Sequence, residues 1–247
     1  MTVSHPIRLA ALIGAVAAWC LTVDRTAGGD PMLAVELAGG VLVGAWATVA
    51  VRSIRLGHRL AGELAVRSRP AIVEGIRCNV ISGGGRQAFV LGAVRPRIWV
   101  GDGLLAALDP GELRAVLLHE DHHRRTFAPL RSAALEAWLT LFGWSRHVRR
   151  LVTARLVDLE ELADVDALAQ GVSPGTLASA LLKGEPRRAR AGAGLSRAAD
   201  RRIVTLLELA AGRPNGRPRE LPYEWLPFAI VAAVALGCHL LRIPSLG

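Results

Sequence analysis

Three apolar runs set the outer frame of this chain. Residues 7–23 ("IRLAALIGAVAAWCLTV"), 32–51 and 225–241 ("WLPFAIVAAVALGCHLL") are each long enough, at about 1.5 Å per helical residue, to approach or cross the hydrocarbon layer of a bilayer. Backbone that enters lipid must satisfy its own hydrogen bonds, so such runs admit helices and little else. Composition agrees: the chain is 51% hydrophobic with a mean hydropathy of +0.34, while aromatic residues are only 4%. That balance suits a protein that keeps part of its apolar surface in lipid.

The first run also has the length of a signal peptide, but no small-residue cleavage site follows it and the second run begins at once. Residues 1–51 are therefore expected to form a transmembrane hairpin around "DRTAGGDP", and residues 225–247 a C-terminal transmembrane segment, with Trp225 at one boundary and Pro227 in the first turn. The competing reading of each run is a buried core helix. Loop charges suggest a direction. The hairpin connection holds Asp24 and Asp30 against Arg25, whereas the stretch after residue 51 holds Arg52, Arg55, Arg59, Arg67 and Arg69 against Glu63. By the positive-inside tendency the second stretch faces the cytoplasm. This predicts a multi-pass protein of the cell membrane, with residues 52–224 forming a domain on the cytoplasmic side.

The formal net charge of +9 fits that orientation, and no nucleic-acid recognition motif accompanies it, so no direct nucleic-acid binding is expected. Cys20, Cys78 and Cys238 have no paired spacing, which argues against a disulfide framework and against a thiolate metal cluster.

Within the middle domain, residues 71–79 and 87–100 hold short apolar stretches broken by "SGGGR" and "GAVRPR", which are strand and turn signals. Gly83, Gly84 and Gly85 are consecutive and no Gly-Lys-Ser/Thr follows, so they do not read as a phosphate loop. Residues 127–144 are apolar but carry Arg131 and Glu136, and are open to three readings: a further membrane segment, a re-entrant piece or an amphipathic helix. Residues 198–211 show Ile203, Leu206, Leu207 and Ala210 at helical spacing, for which packing is a sufficient explanation.

The chemistry concentrates in "LDPGELRAVLLHEDHHRR". Asp109 is a cap, Pro110 occupies the first helical position and Glu112 completes a capping box, so the histidines that follow are expected on a helix. His119 and His123 are four apart and project from one side on successive turns, which lets two imidazoles reach one ion. Glu120 beside His119 can take a proton from a water. This is HExxH, whose chemistry needs neutral nitrogen ligands for zinc, an open coordination position and a carboxylate base. His122 is a weaker competitor as ligand, Asp121 reads as a solvent-side charge, and a polar helix surface is the bland alternative for the whole stretch.

A catalytic zinc site wants a third protein ligand. "LVDLEELADVDALA" reads as a helix with Glu160 and Asp164 on one face, where Glu160 can bind the metal while Asp164 orients a ligand histidine through its second ring nitrogen. Glu161 is the main rival, and Asp158 and Glu136 are weaker ones.

These stretches together resemble the integral-membrane zinc metallopeptidases typified by the beta-lactam sensors BlaR and MecR, whose gluzincin-type core is shared with the HtpX proteases. The resemblance is carried by "FVLGAVRPRIWVGDGLLAALDPGELRAVLLHEDHHRR", by "LEELADVDALA" and by the flanking apolar segments, and it covers residues 71–182 well. It implies an α+β gluzincin-type core, mainly helical with a small antiparallel sheet. It implies Zn2+ on His119, His123 and Glu160, with Glu120 as catalytic base and Asp164 as supporting acid. The expected activity is membrane-embedded endopeptidase cleavage of a protein or peptide substrate, and a BlaI/MecI-like transcriptional repressor is an implied partner. The chain stops at Gly247, just past one apolar segment, and carries no counterpart of the sensors' extracellular penicillin-binding domain, which argues against antibiotic sensing. An extended substrate is expected along the strand around residues 87–90. For the oxyanion, His147 and Tyr223 are weak candidates. The alternative from another class is a catalytically inactive membrane signalling or scaffold protein that retains the metal site.

Overall fold

The computed structural model describes residues 31–184, 202–206 and 208–211. The expected spans at 7–23 and 225–241, and Tyr223, lie outside the described residues. The chain divides into two compact units, Met1–Ala50 with Pro222–Gly247, and Val51–Leu221.

Helix α1 runs over Pro31–Ala65. Among the described residues its stretch Gly39–Ala65 is the one helix long and apolar enough to cross a membrane, and only 11% of its apolar window is buried. The hydropathy drop at residue 51 does not end the helix. No proline follows, and the arginines beyond it are good helix formers, so the backbone continues for four more turns while the composition changes.

Strands β1 (Ser68–Val73), β2 (Ile76–Ile81), β3 (Ala88–Leu91) and β4 (Arg97–Gly101) form one sheet in the order β1-β2-β4-β3. The expectation of an antiparallel sheet needs correction. β1–β2 and β3–β4 are antiparallel, but β2 and β4 are parallel, with Asn79 opposite Trp99 and Val80 opposite Val100, so the sheet is mixed. The cause is the "SGGGR" turn, which carries the chain past one strand position before β3 begins, and β4 then returns into the gap. The crossing requires glycine: a Cβ at Gly101 would lie 2.2 Å from the Gly85 carbonyl oxygen and 2.4 Å from that of Gly84. The amides of Gly83 and Gly84 donate to the Asp102 carboxylate at 2.9 and 3.2 Å, so this glycine turn spends its N–H groups on the chain itself.

Central β4 is buried through Ile98, Trp99 and Val100. After the short helix α2 (Asp102–Ala107), α3 (Pro110–Arg125) opens with the capping box: Glu112 N–H donates to Asp109 Oδ1 at 2.8 Å, and Asp109 N–H donates to Glu112 Oε2 at 3.1 Å. Helix α3 is buried on two sides. Leu113 and Leu117 join Val80, Val90, Ile98 and Val100 of the sheet, while Ala115 and Leu118 pack with Ala167, Leu177, Ala178 and Leu206.

Helix α4 (Ala128–Phe142) has 15 residues, about 22 Å, against a hydrocarbon layer of about 30 Å. Its Leu135 packs on Val152 and Leu159 of α5 (Arg146–Ala169). Helix α6 (Pro174–Lys183) adds Leu177 and Ala178 to the far side of α3. Residues 202–206 and 208–210 are helical, with Leu206 fully buried in that same cluster.

Candidate metal centre

Because α3 lies between sheet and helices, the polar end of its sequence is carried inside. His119, Glu120 and His123 are all buried. Polar groups at such depth are costly unless something meets them, and here the partner comes from α5. Its second half passes α3 with Val157, Leu159, Ala163 and Ala167 inward, which brings Glu160 and Asp164 to the histidines.

The Nε2 atoms of His119 and His123 are 3.1 Å apart. Glu160 Oε2 lies 3.5 Å from His119 Nε2, and Glu160 Oε1 lies 3.4 Å from His123 Nε2. His119, His123 and Glu160 thus form a group that could hold a metal ion. The separations fit one: four ligands at the zinc distance of about 2.0–2.1 Å in a tetrahedron are about 3.3 Å from one another. Asp164 Oδ1 sits 2.9 Å from His119 Nδ1. With Nδ1–H donated to that carboxylate, the lone pair of Nε2 is left facing the group.

Glu120 follows His119 on α3, and its Oε2 is buried with no hydrogen-bond partner among the described residues. A buried carboxylate oxygen without a donor needs an explanation outside packing, and a water or substrate proton supplies one.

Electrostatics hold the acids ionised. Burial opposes charge on Glu160, but the hydrogen bonds from His119 and His123 and the Arg202 charge outweigh it, keeping the carboxyl well below the usual range. Burial likewise opposes charge on Asp164, and Arg202 and His119 lower it. For His119, burial and Arg202 press downward, yet Asp164 and Glu160 prevail and raise its pKa to about 9 in the metal-free site.

The rivals fall elsewhere. His122 Nδ1 faces Asp166 Oδ2 at 3.5 Å, and Asp121 pairs with Arg124 and Arg125 at 2.8 and 3.0 Å, as a solvent-side charge does. Glu161, Asp158 and Glu136 do not join the ligand group. His147 is exposed at the start of α5, thirteen residues before Glu160, a rise of about 20 Å along the helix, so it does not serve as an oxyanion group.

One residue of the centre escaped the sequence reading. Arg202, from the helical residues 202–206, is 8% exposed and donates to Asp164 Oδ2 from Nε at 2.8 Å, to Asp164 Oδ1 from Nη2 at 2.7 Å and to Glu160 Oε2 from Nη1 at 2.8 Å. The usable signal was its spacing: Arg202 is four residues before Leu206, so a charge shares the face of a buried apolar residue. Such a charge requires a buried counter-charge.

The chain matches no protein-family model, no curated protein and no solved structure. What this centre can do is therefore read from its own atoms.

Proposed function

We propose that the protein is a zinc-dependent, membrane-embedded endopeptidase of the BlaR/MecR-like kind, cutting a protein or peptide substrate in regulated proteolysis or signalling. The observation that carries this is the group of His119, His123 and Glu160 ligand atoms, 3.1 to 3.5 Å from one another, with both histidines on the helix that also carries the buried, unpartnered Oε2 of Glu120. Two imidazoles and a carboxylate are a donor set for zinc with one coordination position left open. Bound zinc supplies Lewis acidity toward a water and the scissile carbonyl. Glu120 takes the proton of the attacking water and returns it to the leaving amine. His119 is held in the correct tautomer by Asp164, and Glu160 keeps its negative charge for the ion. Substrate lies along β3, which is an edge strand and packs beside α3, so an extended peptide can add to the sheet there.

The bilayer is the partner that the apolar runs of the sequence call for, and Arg52, Arg55 and Arg59 support a cytoplasmic side for the catalytic unit by the positive-inside tendency. A BlaI/MecI-like repressor is a substrate of suitable kind and location.

The test is zinc content together with cleavage, of the protein itself or of a co-expressed repressor, for the full chain in detergent. Glu120→Gln should keep zinc and lose activity by on the order of 10²-fold to 10⁴-fold. His123→Ala should lose zinc. Zinc binding with no cleavage, unchanged by Glu120→Gln, would favour an inactive scaffold that retains the metal site. A chain that takes up no zinc ends the metallopeptidase reading.

A further inference from the structure

We infer that Arg202 is a positioning residue for the metal centre: it ties the ligand Glu160 and the supporting acid Asp164 into one geometry, and the affinity of the site for its ion depends on that tie. The inference rests on the metal-centre reading above and concerns a residue 38 positions from Asp164 and 42 from Glu160 in sequence.

The geometry is that of a fork between two carboxylates. Nε and Nη2 grip both oxygens of Asp164, at 2.8 and 2.7 Å, while Nη1 reaches Glu160 Oε2 at 2.8 Å. Nη2 also lies 3.4 Å from His119 Nδ1, so the Arg202 and His119 donors converge on the same Asp164 oxygen. The guanidinium is planar and rigid, which suits it to this bridging, and a lysine ammonium can reach only one of the two acids well.

Two further observations give the fork its purpose. Leu206, one turn on, is buried against Ala115, Leu118 and Leu177, so the helical residues that carry Arg202 are anchored to the helix that carries the histidines. The second is charge balance. Three acids stand at this centre, Glu120 and Asp164 buried and Glu160 partly buried, and the charge of Glu120 acts on Arg202 as well. The two positive charges of a zinc ion and the one of Arg202 neutralise these three carboxylates, and without Arg202 the occupied centre retains a buried negative charge. Glu160 has three free side-chain torsions. Holding Oε2 leaves Oε1 turned to His123 Nε2 at 3.4 Å before any ion arrives.

Outer partners of metal ligands typically contribute about 10-fold to 100-fold in metal affinity, and Arg202 falls in that class. The experiment uses the metal-stripped full chain in detergent, titrated with zinc and with cobalt(II) against a competing chelator. The cobalt visible spectrum reports ligand geometry, and thermal unfolding of the metal-free protein reports the fold. Arg202→Lys and Arg202→Met should both bind about 10-fold to 100-fold more weakly, with an altered cobalt spectrum. The pair Arg202→Met with Asp164→Asn removes the charge imbalance, yet should not recover the affinity, because Glu160 is still untethered. Lysine binding as tightly as arginine, with an unchanged spectrum, would show that charge alone matters and would overturn the inference. So would recovery in the double variant. If Arg202→Met does not fold, Arg202→Lys decides. If the original chain binds neither ion, the metal-centre reading itself falls and this inference falls with it, an outcome distinct from tight binding that ignores Arg202.

Discussion

Helices α1 and α3 invert the usual arrangement of a protein in opposite ways. In α1, Val41, Val43, Val51 and Leu56 are exposed, and little of the apolar stretch is covered by protein. In α3, His119, Glu120 and His123 are buried. Each inversion is expensive in water unless a partner of definite chemistry meets it, and the proposed function supplies hydrocarbon for the first helix and a cation for the second. The difference teaches that exposure must be judged against residue type. An apolar surface without cover points to the solvent of the helix, and a polar interior with convergent donors points to its ligand.

The comparison can be broken first at α1. Val43→Arg on a helix in water should shift stability by no more than about 0.5 kcal/mol, whereas in a membrane span it costs up to about 2.5–3.5 kcal/mol of insertion free energy. A glycosylation-mapped insertion assay reads that difference, and normal insertion of the arginine variant would remove the bilayer from the account of α1.

The second test concerns the cation. Metal must displace a proton from His119, whose pKa in the metal-free site is raised to about 9. The sign follows directly. A histidine whose folded-state pKa lies above its unfolded value stabilises the metal-free protein fully below about pH 6.5, and that contribution is lost as pH rises through about 9. Apparent zinc affinity should therefore climb about tenfold per pH unit toward pH 9. Chelator-buffered titrations at several pH values check this, and a flat profile would mean that Asp164 and Glu160 do not hold the proton.

The smallest effect sharpens the comparison at the start of α3. Asp109→Ala removes the cap and should cost about 1 kcal/mol in thermal or denaturant unfolding, because Glu112 N–H loses its acceptor. Metal affinity should stay near its original value, since the cap lies more than two turns from His119. A large loss of affinity would show that the helix register is set from its N-terminus and not by its packing on both sides.

Much of the metal centre was legible because its rules are local. Cap, proline and Glu112 specify where α3 begins, and 3.6 residues per turn then puts His119 and His123 on one side and Glu160 and Asp164 on one side of another helix. The start and apolar character of α1 were legible for the same reason, though not its continuation past residue 51, since helix propensity ignores the change of composition there. The order of the strands was not legible. Alternation marks which residues can be strands, but the parallel pairing of β2 with β4 depends on where the glycine turn lands, which is a property of the assembled sheet. The resemblance already favoured Glu160 over Glu161, and the packing of α5 on α3 brings Glu160 within 3.5 Å of both histidines. Arg202 needed more still, because nothing within ten residues of it announces a metal centre. The sequence by itself determined the pieces whose geometry repeats along one helix: the capped HExxH and the paired acids. Only the tertiary structure decided which pieces meet, since a buried guanidinium finds its carboxylates through packing across the whole domain, and no local periodicity encodes that distance.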